Sequence, residues 1–197
     1  MKYRFIIFGV TLLGILLMTS CKENCKIMHN CNDKRAMTKY EKYFPLEIGN
    51  KWTYSSKGEP NYYMKVVGKK EINGKNYFKL LHSSVGKKSR TIVYYRWEDS
   101  KLFEMYESDK LEYLLADFAL EEGDMFQKNN TDQKNSGYDV TVLSDDPNEF
   151  TFYYDSRELA DEEYTIVFGV DVGKLKERGG MIDEWVTLTS YDLHCSH

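Results

Sequence analysis

Short runs of alternating apolar and polar residues make up most of the chain. In one such run Tyr62, Met64 and Val66 share one face, and the residues between them form the other face. This period of two is typical of a β-strand with one buried face. The run ends at Asn73-Gly74, a dipeptide that favours a two-residue type I′ turn, and a second alternating run follows. The sequence therefore predicts a β-hairpin centred on Asn73-Gly74.

Further strands are predicted wherever β-branched and aromatic residues alternate between clusters of Asp, Asn, Gly and Pro. The predicted strands are 62–67, 77–82, 91–97, 102–106, 138–143, 149–154, 163–170 and 184–193. Many short strands at regular spacing are typical of an antiparallel β-meander. We therefore expect a mainly β fold, an antiparallel meander that forms a curved sheet or open barrel, with at most one short helix.

The segment 109–120 is the one candidate for that helix. Its apolar residues lie at helical spacing, at Leu111, Leu114, Leu115 and Phe118. Asp109 and Glu112 also have the spacing of a capping pair at a helix N-terminus. A strand through 114–118 is the alternative.

The segments 46–52 and 120–126 resemble each other. Both contain Leu-Glu, a glycine, then Asn or Asp, and an aromatic residue at the end. Gly49 and Gly123 can adopt positive φ and reverse the chain, so that Trp52 and Phe126 enter the core as strands begin. Two explanations are open. Either the sheet consists of two half-sheets of similar construction, or both segments show a common way of starting a strand.

The N-terminus has the order of a secretory signal. Lys2 and Arg4 precede an uncharged apolar run, 5–18. This run is shorter than the ~20 residues that a helix needs to cross a bilayer. The following Leu17-Met18-Thr19-Ser20-Cys21 resembles the lipobox of bacterial lipoproteins. The resemblance implies cleavage of a signal peptide, 1–20, and lipidation of Cys21 with diacylglycerol and an acyl chain such as palmitate.

A lipid on Cys21 makes the membrane the first expected partner. Residues 21–42 are rich in Lys, Asn and Glu, which indicates the lipidated cysteine followed by a flexible tether. Residues 43–197 then form a single β-rich domain. The resemblance to bacterial lipoproteins implies a cell-envelope protein at the outer membrane. Lys22-Glu23-Asn24 only partly resembles the charged stretch that directs lipoproteins of Bacteroidota-type bacteria to the cell surface, so the periplasmic face and the cell surface both stay open.

The charge of the chain excludes one class of partner. The formal net charge is −4, and removal of Lys2 and Arg4 with the signal would change it to −6. A mildly acidic chain without a basic stripe is unsuited to nucleic acid, so no nucleic-acid partner is expected.

Three cysteines remain once Cys21 is lipidated. Cys25 and Cys31 could close a small disulfide in the tether, either could pair with Cys195, or no disulfide forms. The histidines and cysteines near the two ends have no spacing that defines a metal site. We therefore expect no metal and no cofactor.

Three short stretches spread across most of the mature chain, 44–54, 117–124 and 168–173, carry a resemblance. They are similar to a loose group of uncharacterised small secreted proteins and outer-membrane lipoproteins of Bacteroidota-type bacteria. The resemblance implies a β-rich domain outside the cytoplasm. It supplies no catalytic residue.

No catalytic motif of the common hydrolases, metalloproteases or nucleotide-binding proteins occurs. We therefore expect a non-enzymatic binding or structural module, whose partner is a small apolar ligand, a glycan or a protein. Its many Tyr and Trp side chains would supply contact surface. The alternative is a hydrolase of envelope glycans that uses a carboxylate pair, Asp155 with Glu163 or Asp117 with Glu122. Asp117 lies among apolar residues, and a structural hydrogen bond explains a carboxylate in that place more simply than catalysis does.

Overall fold

A computed structural model describes residues 37–86, 89–108, 110–130, 133–159, 162–179 and 182–194. The predictions for the signal peptide, for lipidation of Cys21 and for a disulfide between Cys25 and Cys31 therefore fall outside the described residues. None of the helical turns in the described part is long and apolar enough to cross a membrane.

The described residues form twelve antiparallel strands in one sheet. A 3-10 turn, Glu41–Tyr43, precedes them. The strands are β1 (Lys51–Ser56), β2 (Glu59–Ile72), β3 (Lys75–Ser84), β4 (Arg90–Glu98), β5 (Lys101–Tyr106), β6 (Glu112–Asp117), β7 (Met125–Asn130), β8 (Gln133–Asp146), β9 (Glu149–Ser156), β10 (Tyr164–Gly169), β11 (Gly173–Gly179) and β12 (Ile182–Asp192). Their order is β6-β5-β4-β3-β2-β1-β12-β11-β10-β9-β8-β7. The expected fold class, an antiparallel meander curved into an open barrel, is confirmed.

The predicted hairpin joins β2 to β3. Asn73 and Gly74 both have positive φ, 52° and 74°, as a type I′ turn requires. All eight predicted strands are present, and β1, β6, β7 and β11 complete the sheet.

The segment 109–120 contains a strand, β6, and the helical interpretation of this segment is wrong. Ala116 pairs with Leu102 of β5, and the register shifts between Leu102 and Phe103. That irregularity allows consecutive residues, Leu115 and Ala116, to be buried, which in the sequence imitates the spacing of a helix.

The resemblance between the two segments that precede β1 and β7 is also a structural one. Gly49 N–H donates to the Val66 carbonyl, and Val66 N–H donates to the Asn50 carbonyl, each at 2.9 Å. Gly123, Asp124 and Val142 make the same two bonds at the same distances. Both glycines have positive φ, 101° and 91°. The sheet therefore consists of two halves, β1–β6 and β7–β12, that begin in the same way.

The two junctions between these halves differ. β1 pairs with β12 along most of its length. β6 and β7 lie side by side at the two ends of the strand order, and within the described residues no ladder of hydrogen bonds joins them. A side chain takes part in closing this seam, because the Tyr154 hydroxyl donates to the Leu115 carbonyl of β6 at 2.7 Å.

One end of the barrel is filled by the segment before β1. Trp97 Nε1 donates to the Phe44 carbonyl at 3.1 Å, and Asp171 N–H donates to the Lys42 carbonyl at 2.8 Å. The rings packed at this end are those of Tyr43, Phe44, Trp52, Phe118, Phe150, Phe152 and Phe168. This end is therefore an aromatic core.

Candidate ligand-binding cavity

The opposite half of the barrel interior contains a cavity of about 330 Å³. Its apolar lining residues are Phe44, Met64, Leu115, Ile166 and Phe168. Its lining also includes Ser84, Ser89 and Thr91, at the end of β3 and the start of β4. The cavity therefore extends from the aromatic core towards the end of the barrel opposite the filled one.

Four charged side chains line this cavity: Glu104, Lys128, Lys174 and Glu177. Glu104 lies between Leu102 and Tyr106 on the inner face of β5, and Lys128 follows Phe126 on the inner face of β7. These two positions obey the alternation of a strand. A charge therefore occupies a place that an apolar residue normally fills.

Lys174 and Glu177 share the inner face of β11 although they are three residues apart. Phe168 of β10 pairs with Lys174, and Ile166 pairs with Glu177. The register shift between Val167 and Phe168 accommodates one extra residue in β11. Such a bulge turns both side chains to the same side of the sheet.

Lys128 and Glu104 form an ion pair with an N–O distance of 2.5 Å. Lys128 also donates to the Tyr164 hydroxyl at 2.9 Å, and its ammonium lies 5.5 to 5.7 Å from the ring centres of Tyr138, Tyr154 and Tyr164. Burial alone would lower the pKa of Lys128, but Glu104 outweighs it and the pKa is raised. Lys128 is therefore a buried cation. Its ion pair joins β7 to β5, across the seam.

Lys174 and Glu177 form the second ion pair, at 2.7 Å. The Tyr62 hydroxyl donates to the other carboxylate oxygen of Glu177. The ammonium of Lys174 lies 5.1 Å from the ring centre of Tyr54 and 5.4 Å from that of Tyr62. Burial would raise the pKa of Glu177, but the charge and hydrogen bond of Lys174 and the bond from Tyr62 hold it below its usual range.

Four rings are stacked side by side across β1 to β4. Tyr54 and Tyr62 have ring centres 4.7 Å apart, and His82 lies 6.4 Å from both Tyr62 and Tyr95. The planes are within 20° of parallel throughout. Because Tyr62, His82 and Tyr95 all line the cavity, this stack forms one of its walls.

Two buried polar atoms of the cavity, His82 Nε2 and Glu104 Oε1, form no regular hydrogen bond within the described residues, but the ion pair with Lys128 compensates Glu104. His82 Nε2 is therefore the buried atom without a partner. The hydroxyls of Tyr95 and of the partly exposed Tyr106, which also line the cavity, likewise form no hydrogen bond with a described group. Burial, with the nearby Lys174 ammonium, lowers the pKa of His82 to about 4, so its imidazole is neutral at pH 7. Buried polar groups are normally paired, so His82 Nε2 requires a partner inside the cavity, either water or a ligand.

The carboxylate pairs considered from the sequence lie elsewhere. Asp117 accepts hydrogen bonds from the Ser100 hydroxyl at 2.7 Å and the Ala119 N–H at 3.1 Å, which is a structural role. Glu122 is exposed, as are Asp155 and Glu163. None of the four lines the cavity.

The sequence did not single out Glu104, Lys128, Lys174 or Glu177. The segment that holds Lys174 and Glu177, Gly173–Gly179, reads as a charged turn because the bulge breaks its alternation. Glu104 and Lys128 could have been found as charges at inward positions of their strands.

A second ion-pair network lies on the outer face of the barrel. Arg96 contacts Glu112 at 2.6 and 2.8 Å, also pairs with Glu98, and packs 4.1 Å from the ring centre of Phe103. Burial would raise the pKa of Glu112, but hydrogen bonds from Arg96, Tyr77 and Lys75 lower it to about 2. The charged groups of this network are paired with one another, and none of them lines the cavity.

No protein-family model, curated protein or solved structure matches the chain. Within the described ranges, no group of three or more His, Cys, Asp or Glu side chains is placed to hold a metal ion. The cavity is therefore the candidate functional site.

Proposed function

We propose that the protein is a non-enzymatic module that binds a small polar molecule inside the barrel. The observation that carries this proposal is the buried, unpaired Nε2 of His82 in the lining of a cavity of about 330 Å³, to which Tyr95 and Tyr106 add hydroxyls. Ligand sites in proteins are typically clefts of about 300 to 1,000 Å³ with a few converging polar groups.

The polar lining favours a polar ligand over an apolar one. An apolar ligand would leave each unpaired group without a partner, which costs about 1 to 3 kcal/mol per group. Binding of another protein is less well supported, because the groups without partners lie inside the barrel and not on its outer surface.

A glycan hydrolase is the weaker candidate. Glu104 and Glu177 line one cavity, but each is paired with a lysine. A hydrolase that uses two carboxyl groups needs one of them to carry a proton. The lowered pKa of Glu177 opposes that role at neutral pH.

The ligand-binding proposal is tested by native mass spectrometry of the full chain in detergent, after incubation with the small-molecule fraction of a bacterial extract. We expect retained adducts. Ser84→Trp, which places a large ring in the lining of the cavity, should abolish them. Ser144→Trp, a half-buried serine outside the cavity, is the matched control and should keep them. No adducts, or the same adducts on Ser84→Trp, would contradict the proposal.

We further propose that the chain is a lipoprotein of the cell envelope, held at the outer membrane by a lipid on Cys21. The support is the lipobox-like Leu17-Met18-Thr19-Ser20-Cys21 after an apolar run. A diacylglycerol and an acyl chain would give stable attachment, since each buried methylene contributes about 0.8 kcal/mol. Cys21→Ser should abolish labelling by radioactive palmitate. Unchanged labelling of that variant would refute the lipidation.

A further inference from the structure

The charges of the cavity cancel. Two lysines and two glutamates line it, and each lysine pairs with a glutamate at 2.7 Å or less. A ligand with a net charge would either add an uncompensated charge or break one of these pairs. Both are costly because the paired side chains are largely buried. The site is therefore built for a molecule without net charge.

The polar groups of the cavity that take no part in the two ion pairs are suited to binding hydroxyl groups of a ligand. The hydroxyls of Tyr95 and Tyr106 can each donate and accept, and so can those of Ser84 and Thr91 nearer the mouth. A neutral imidazole at His82 offers one donor or one acceptor at its free Nε2. A ligand with several hydroxyls matches such a set, because its own groups also donate and accept.

The lining of the cavity also provides apolar surface beside its polar groups. Met64, Leu115 and Ile166 contribute to it, and Met64 is the cross-strand partner of His82. A sugar ring also combines apolar and polar surface, with C–H groups on its faces and hydroxyls around its edge. The volume of about 330 Å³ is about 11 times the ~30 Å³ that one water takes in the liquid, which is enough for one sugar ring together with several waters.

Resting on the proposed ligand cavity, we propose that its ligand is a neutral, polyhydroxylated molecule of monosaccharide size. The two ion pairs stay intact on binding and help to orient the ligand hydroxyls. The hydroxyls of Tyr95 and Tyr106 and the Nε2 of His82 supply the other hydrogen bonds.

The test is isothermal titration calorimetry of the full chain in detergent with neutral sugars and charged sugars of the same ring stereochemistry. The neutral probes are D-glucose, D-galactose, D-mannose and N-acetyl-D-glucosamine. The charged probes are D-glucuronate, D-galacturonate, D-mannuronate and D-glucosamine, and 1-octanol is the apolar probe. We expect at least one neutral sugar to bind, and the charged form of that sugar to bind at least tenfold more weakly.

Two neighbouring tyrosines give a matched pair of variants. Tyr95→Phe removes an unpaired hydroxyl inside the cavity, whereas the Tyr94 hydroxyl is outside and donates to Glu107 at 2.8 Å. Tyr95→Phe should weaken sugar binding about fivefold to tenfold, and Tyr94→Phe should leave it unchanged. Thermal melting of each variant checks that it folds.

The outcomes separate this inference from the proposal on which it rests. A charged sugar or 1-octanol that binds as tightly as the neutral sugars would overturn it. If no sugar binds but adducts from the bacterial extract persist and Ser84→Trp removes them, the inference fails and the cavity remains a binding site. If neither sugars nor adducts bind, both fail.

Discussion

Replacing Glu104 by Gln would remove one charge from the most buried ion pair of the barrel while keeping the shape of the side chain. Glu104 is 3% exposed and Lys128 is 9% exposed. The glutamine oxygen can still accept a hydrogen bond from Lys128. The variant therefore separates the loss of charge from the loss of packing.

The expected cost follows from what Lys128 retains. Its bond to the Tyr164 hydroxyl and its three surrounding rings remain, but no anion is left beside the ammonium. Removing one partner of a buried ion pair typically costs about 3 to 5 kcal/mol. The cavity admits water, so we expect a loss near 3 kcal/mol. That is a large share of the roughly 5 to 15 kcal/mol that stabilises a domain.

Urea denaturation measures this loss, and a double variant isolates its cause. Glu104→Gln with Lys128→Met removes both charges, and replacing a buried pair by uncharged side chains is often close to neutral. The double variant should therefore recover most of the stability that Glu104→Gln loses. A single variant as stable as the wild type, or a double variant no better than the single one, would refute the ion pair as described.

The remaining predictions concern the core, the first hairpin and His82. Trp52 is fully buried and its Nε1 donates to the Val172 carbonyl at 2.6 Å, so Trp52→Ala should cost about 3 to 5 kcal/mol in urea denaturation, and an unchanged midpoint would place Trp52 outside the core. Gly74→Val should lower the melting temperature and Gly74→Asn should lower it less, because the position has φ of 74° with open space around it and asparagine tolerates that conformation; equal melting temperatures would contradict the type I′ turn. Unfolded histidine binds its proton near pH 6.5 but folded His82 only near pH 4, so stability should fall by at most about 3 kcal/mol as the pH drops through this window. His82→Gln should lose that part of the pH dependence, and an unchanged profile would show that His82 is not buried as described.

The strands that could be predicted are those whose alternation is unbroken. The β2–β3 hairpin followed from Asn73-Gly74, and the repeated reversal at Gly49 and Gly123 was visible as a sequence repeat. Local conformational preference decides these features, so a single sequence contains the information.

The parts that could not be predicted depend on contacts between distant strands. β6 has residues at helical spacing, and only its pairing with β5 makes it a strand. Lys174 and Glu177 reach the interior through a bulge that the register with β10 defines. Charges on a short polar segment normally indicate a solvated turn. The sequence alone therefore did not predict that Lys174 and Glu177 line a cavity.

The most direct test of the cavity is a long-range proton–nitrogen NMR titration that follows the two described histidines. The ligand is the molecule identified by mass spectrometry or the neutral sugar that binds in calorimetry. His82 Nε2 lies unpaired in the cavity, whereas His194 is exposed beside Gly49 at the filled end of the barrel. We predict that saturating ligand shifts the Nε2 resonance of His82 and leaves both nitrogens of His194 unchanged. Saturation without any change at His82 would contradict binding inside the barrel.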